Sequence, residues 1–239
     1  MKSESEKERM RANLLRAVSH DIRTPLTTIY GSAATLEDNW ADLSDDQKLR
    51  MLNGIKEDSD WLVRIVENLL SVTRFDENNV KIVKTSVVLD ELVDSALQKF
   101  KKRWPGQDVT VYLPDEIVMV PVDVLLIEQV IINLLDNAVR HAEGMTELIF
   151  RVYTGQNGVV FEIEDNGCGI SAEKIIRIFD GCSNFEDSLP DGKKKNAGIG
   201  LAVCASIVKA HGGRISVDST VGKGSVFRFV LNNTELKYE

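Results

Sequence analysis

Ser19-His20-Asp21-Ile22-Arg23-Thr24-Pro25-Leu26 sits in the middle of the pattern that decides how this chain begins to fold. Around it Leu15, Val18, Ile22, Pro25, Ile29, Ser32 and Leu36 recur at alternating steps of three and four, the spacing of a coiled-coil seam. At about 100° per residue, His20 falls roughly opposite that seam and is expected on the solvent side of the helix. A second seam follows in Leu52, Ile55, Ser59, Leu62, Val66, Leu69 and Thr73, and Ser44 with Gln47 three residues on has the form of a capping box. The expectation is a hairpin of two long helices joined by a short loop near Asn39 to Leu43. A lone hairpin leaves apolar stripes half covered, so two chains are expected to associate into a four-helix bundle.

His20 has the chemistry for such a place. A neutral imidazole, dominant at pH 7 for an ordinary pKa of about 6.5, carries a nucleophilic nitrogen able to attack a phosphorus atom. Asp21 adjoins it, and Thr24 lies one turn on. Pro25 removes a backbone donor just after them and is expected to bend the helix.

Outward from the hairpin, the polar run Asp76-Glu77-Asn78-Asn79 ends the helical pattern and sets two domains, 1–78 and 79–239. Strand-like runs are Asp108 to Leu113, Ile117 to Val120, Leu148 to Thr154, Val159 to Glu164, Arg214 to Ser219 and Ser225 to Leu231, the last two forming a hairpin around Gly222 to Gly224. Helix-like runs are Asp90 to Arg103, Val124 to Ala142, Ala172 to Phe179 and Ile199 to His211, the last stopped by Gly212 and Gly213. The fold class is therefore α plus α/β: the hairpin, then a sandwich of one helical layer on one mostly antiparallel sheet. Asp180 to Ala197, polar with Pro190 and the lysines 193–195, is long for a compact-domain loop and reads as a lid or connection.

Composition narrows the function. With 43% hydrophobic and 28% charged residues the 239-residue chain is an ordinary globular protein, and a net charge of −8 disfavours a nucleic-acid partner. Cys168, Cys182 and Cys204 fit neither a disulfide framework nor a metal spacing and read as reduced thiols, as in the cytoplasm. Met1 to Arg11 is charged without an apolar core, and no run is long enough to span a bilayer, so any membrane attachment would come through segments outside this chain.

Three further stretches carry ligand chemistry. In Asn133-Leu134-Leu135-Asp136-Asn137-Ala138-Val139-Arg140-His141 the residues Asn133, Asn137 and Arg140 share a helix face, and amide oxygens suit a hard cation such as Mg²⁺. Asp165-Asn166-Gly167-Cys168-Gly169-Ile170 closes an apolar strand. Its carboxylate can accept a hydrogen bond from an exocyclic amine such as that of adenine, and its glycines allow a ligand close to the backbone. Gly198-Ile199-Gly200-Leu201 opens a helix, a natural phosphate site. It is not a dinucleotide fingerprint, because no strand precedes it and Val203 replaces the third glycine.

Together these runs resemble the boxes of the sensor histidine kinases, in their proper order. Ser19 to Leu26 matches the phosphoacceptor box at every position, Asn133 to His141 the N-box, Asp165 to Ile170 the first glycine box and Gly198 to Leu201 the second. Val124 to Val130 and Leu201 to Cys204 resemble the KdpD-like group in particular. The resemblance implies a dimerisation and histidine-phosphotransfer domain followed by a Bergerat-type ATP-binding domain. It implies that ATP phosphorylates His20, with Asp21 as base or orienting carboxylate, and that a response regulator's receiver domain takes the phosphoryl group onto aspartate. Thr24 would position water for dephosphorylation of that regulator.

By the same resemblance Asn137 holds Mg²⁺ with support from Asn133, Arg140 contacts phosphate, His141 packs near the adenine, Asp165 reads the adenine, and Gly167, Gly169, Ile170, Gly198, Ile199, Gly200 and Leu201 border the nucleotide. The sequence departs from the pattern at His141, where tyrosine is commoner, at Asn196, which replaces an opening glycine, and at Cys182, which replaces the second aromatic after Phe179. Two alternatives stand beside this: a clamp ATPase of the gyrase type, against which Asn133 argues because those enzymes carry a glutamate there, and a phosphatase-dominant or non-catalytic scaffold.

Overall fold

The computed structural model describes residues 22–76, 82–176, 178–179 and 199–232, and the chain divides into two compact units between Thr73 and Arg74. The domain limit read at 78/79 lies outside the described residues, as does the whole segment from Asp180 to Ala197.

In the first unit, α1 (22–39) turns through Trp40 to Leu43, where the Asp42 and Leu43 N–H groups donate to the Asn39 carbonyl at 3.0 and 3.1 Å. α2 (Asp45–Asp76) begins with the expected capping box: the Gln47 N–H donates to Ser44 Oγ at 3.2 Å and the Ser44 N–H to Gln47 Oε1 at 2.9 Å. α1 continues through Pro25, and the hydroxyls of Thr27 and Thr28 donate to the carbonyls of Arg23 and Thr24. Of the first seam Pro25 and Leu36 are buried and Ile22, Ile29 and Ser32 half-buried. On the second, Leu52 and Val66 remain 47% and 48% exposed within the single chain.

The second unit is an α/β sandwich. Its elements are β1 (Thr85–Val88), α3 (Leu89–Arg103), β2 (Thr110–Tyr112), β3 (Met119–Val122), α4 (Val124–His141), β4 (Leu148–Gly155), β5 (Gly158–Asp165), α5 (Ala172–Ile175), α6 (Ile199–Ala210), β6 (Arg214–Thr220) and β7 (Gly224–Asn232). Five strands form one sheet in the order β2-β4-β5-β7-β6, antiparallel except for the parallel pair β2–β4.

Three expectations are corrected. Ile117 to Val120 does not join this sheet; as β3 it starts at Met119 and pairs antiparallel with β1, a strand the sequence pattern did not show. The helix expected from Ala172 to Phe179 is the four-residue α5, and Ile176, Ile178 and Phe179 lie in turns. The Asp108 to Leu113 strand shortens to three residues.

Strand alternation builds the two faces of the sheet. Val159, Phe161 and Ile163 point into the helical layer with Phe150, Phe227 and Phe229, all but fully buried, and Phe161 stacks on its register partner Phe229 with centroids 4.4 Å apart. The opposite face carries an ion-pair ladder. Arg151 pairs with Glu162 and Glu164, and Arg228 with Glu162 at 2.8 Å and Asp218 at 3.1 Å. α4 lies between α3 and α6 over the sheet, which explains why it buries Ile127, Val130, Ile131, Leu134, Leu135 and Ala138 on so broad an arc.

The ends of α4 and α6 are tied together. His211 Nδ1 lies 2.8 Å from the Ile207 carbonyl, and its Nε2 accepts the Asp123 N–H at 3.1 Å, which fixes a neutral tautomer between the two helices. Gly212, at φ +81°, and Gly213 then close α6 in a Schellman pattern, donating to the carbonyls of Lys209 and Val208 at 2.9 and 2.8 Å. Burial lowers the pKa of His211.

Candidate nucleotide site

α4 is capped by Asp123, whose carboxylate accepts the Leu126 N–H at 3.4 Å, and its last turn holds His141 and Arg140, the latter a cation at the negative end of the helix. Asn133, Asn137 and Arg140 are all half-buried. The stripe read from the sequence is shared between two neighbours. The Asn133 side chain hydrogen-bonds the Cys204 thiol on α6, and burial pushes that thiol up to about 12. The Arg140 guanidinium instead lies over the Trp104 ring at the end of α3, with Cζ 5.1 Å from its centroid. His141 is exposed, and its carbonyl faces Cys168 Sγ at 3.3 Å, which brings the end of α4 to the first glycine run.

Asp165 follows Val159, Phe161 and Ile163 on the inward side of β5, so the strand's period of two places a carboxylate at the rim of an apolar face. It is 5% exposed. Burial raises its pKa, while hydrogen bonds from the Gly167 N–H, at 3.0 Å, and from the N–H and hydroxyl of Ser225 oppose the rise. Behind it the Ser219 hydroxyl donates to the Gly224 carbonyl at 2.7 Å and accepts the Ile170 N–H at 2.8 Å. Gly224 is required here: at φ +108°, any Cβ would lie 1.9 Å from the Asp165 carbonyl oxygen.

The glycines of Asp165 to Ile170 also have a use within the protein itself. A Cβ on Gly167 would meet Ala142 at 2.5 Å and one on Gly169 the Thr220 carbonyl at 2.2 Å, so both admit the protein's own backbone. Asn166 pins the neighbouring turn, its Oδ1 accepting the Thr146 and Glu147 N–H groups at 2.9 and 3.0 Å.

Among the other expected residues, Gly200 and Leu201 lie half-buried in the first turn of α6, which begins at Ile199, and Phe179 is half-buried. Thr24 is exposed on α1. His20, Asp21, Cys182, the lysines 193–195, Asn196 and Gly198 lie outside the described residues. Sequence reading missed Ser219, Ser225, Trp104 and Asp136, and took His211 only as the last residue of a helix.

No cluster of three His, Cys, Asp or Glu side chains able to hold a metal occurs among the described residues. A divalent ion beside α4 would therefore depend on the amide oxygens of Asn133 and Asn137 and on oxygens of its own ligand, a donor set that fits Mg²⁺. The arrangement offers a buried carboxylate for an amine donor, a cationic helix end for an anion and amides for a hard ion.

Residues 10–78 match the His Kinase A (phospho-acceptor) domain, and residues 122–235 match the Histidine kinase-, DNA gyrase B-, and HSP90-like ATPase. The chain is 43% identical over 228 residues to the sensor protein KdpD of Clostridium acetobutylicum and 34% identical over 231 residues to that of Escherichia coli. In both cases 95% of this chain and 25% of the relative are covered. It thus spans about a quarter of their length. A solved structure of the histidine kinase ThkA in complex with the response regulator protein TrrA has a TM-score of 0.71 at 21% identity, covering 96% of this chain and 64% of that one, a likeness of fold. No described helix is long and apolar enough to cross a membrane.

Proposed function

The chain belongs to the sensor histidine kinases, and on that premise we propose that it is a catalytic core which transfers the γ-phosphoryl group of ATP to His20 and then to an aspartate of a response regulator. What carries the reading is the joining, in one chain, of the Ser19 to Leu26 run to a unit where Asp165 sits buried beside the end of the Asn133 to His141 helix.

Asp165 would accept the adenine amine, and Arg140 would pair with phosphate at the cationic end of α4. Ile170, Ile199 and Leu201 would border the nucleotide together with Gly167, Gly169, Gly198 and Gly200, and the exposed His141 would cover the adenine edge. Asn137, with Asn133, would hold Mg²⁺, which when bound neutralises phosphate charge. Phosphoryl transfer is mainly positioning and charge neutralisation, which leaves His20 to supply the nucleophilic nitrogen and Asp21 to orient its ring. Thr24 would direct water when the phosphorylated regulator is hydrolysed.

Two chains would pair through the hairpin, because Leu52 and Val66 lie half exposed on the seam of a single chain. The domains are taken as 1–78 and 79–239, and the setting as the cytoplasmic part of a sensor. The partnership with a receiver domain is supported by the ThkA–TrrA complex.

Incubation with γ-labelled ATP and Mg²⁺ tests the reading. Label that survives alkali and is lost in acid is expected on the parent protein, and none on His20→Gln, which should still bind ATP. Labelled His20→Gln would give the acceptor role to another residue; an unlabelled parent that binds ATP would favour the phosphatase or scaffold alternative.

A further inference from the structure

Asp136 is an unusual residue to bury. It sits 5% exposed inside α4, and an isolated carboxylate so placed costs several kcal/mol unless it is paired. Its partners both come from the end of α3: the Trp104 indole N–H donates to Oδ1 at 2.8 Å, and Arg103 Nη1 lies 2.8 Å from Oδ2. Replacing such a buried pair by apolar side chains is often neutral or stabilising, so stability alone gives little reason for it.

Geometry supplies another reason. Trp104 is the C-cap of α3, its own N–H bonded to the Phe100 carbonyl at 2.9 Å, so both its backbone and its indole nitrogen are tied down. The ring so fixed lies under the Arg140 guanidinium, one turn along α4 from Asp136. A guanidinium above an indole uses its flat face for the cation–π contact, whereas phosphate is recognised along the N–H edge, so the two contacts are compatible. Arg103 and Arg140 around one carboxylate leave the cluster net cationic, as suits an anionic ligand.

We propose that Trp104, locked by Asp136 and Arg103, is a positioning platform that holds the Arg140 guanidinium at the phosphate end of the nucleotide site. This rests on the reading of Arg140 as a phosphate contact. The platform acts through Arg140 alone, so its loss should weaken ligands in proportion to their phosphates and spare adenosine.

The test is calorimetric titration of the full chain with ATP and with adenosine, thermal melting being followed for each variant. Trp104→Leu should weaken ATP about tenfold, the range of a partly desolvated cation–π contact, with adenosine unchanged. Trp104→Phe, which keeps a ring but drops the bond to Asp136, should weaken ATP about threefold and carries the test if Trp104→Leu does not fold. Equal losses for ATP and adenosine would show a merely structural residue and overturn the proposal. Unchanged ATP binding in the Trp104 variants, with a loss in Arg140→Met, would overturn it too while sparing the role of Arg140. Unchanged ATP binding in Arg140→Met would remove that role and the platform together.

Discussion

The two units solve the same packing problem to different degrees. In the α/β unit α4 has neighbours on three sides and buries eight residues, polar Glu128 and Asp136 among them. In the helical unit Pro25 and Leu36 are the buried residues among those whose side chains are described, and the second seam remains open at Leu52 and Val66. An element enclosed by its own chain tolerates buried charge, whereas one with apolar positions open to water is what the proposed second helix pair would cover. Nucleotide recognition and self-association should accordingly fail separately.

Asp165→Asn should sharpen that contrast most. An amide there keeps one acceptor oxygen, so turning it to the Gly167 and Ser225 donors sets its NH2 against the adenine amine, and ATP affinity should fall on the order of 100-fold while the sedimentation behaviour of the chain stays the same. A change in association would break the comparison. The raised pKa adds a pH signature: as pH falls through it, Asp165 takes up its proton before an ordinary aspartate and ATP affinity drops. The same protonation relieves a buried charge, so this residue's contribution to folding stability rises over that window. Parallel titrations of affinity and melting temperature should move in opposite directions, and neither trend should appear in Asp165→Asn.

Next in size, Leu52→Asp and Val66→Asp should weaken dimerisation roughly 30-fold each, the loss of about 2 kcal/mol of apolar burial, while nucleotide affinity is unchanged. Sedimentation equilibrium measures it; an undiminished dimer would place the interface elsewhere. Smallest is His211→Gln. The depressed pKa of His211, set by burial and by nearby Lys84 against the Ile207 carbonyl and Asp123, means its neutral form contributes stability that is complete above about pH 6.5 and declines as pH falls below it. The substitution should cost about 1–2 kcal/mol at neutral pH and flatten that decline in chemical denaturation of the α/β unit. A decline as steep as in the parent would assign it to another group.

The sequence was most legible where one element repeats its own period. The two hairpin helices, the capping box at Ser44 and Gln47, the Gly212 and Gly213 stop and the apolar strand that ends at Asp165 follow from spacing within a single helix or strand. β1 was hidden because Thr85 to Val88 is four residues long and owes its strand to pairing with Met119 to Val122, far along the chain. α5 was overread because the apolar run from Ile175 to Phe179 looks helical until it meets the turn. Ser219 and Ser225 are ordinary strand residues by pattern, and only the β6–β7 register sets them beneath Asp165. Trp104 likewise gains its meaning from α4, and Gly167 and Gly169 from Ala142 and Thr220, contacts that no local window contains.

The ladder of Arg151, Glu162, Glu164, Arg228 and Asp218 on the side of the sheet opposite the helices has a bearing on what that side attracts. Charges already matched to one another gain little from a visitor, and drying them costs several kcal/mol per ion. Within the α/β unit that face of the sheet therefore favours water over stacking by another sheet.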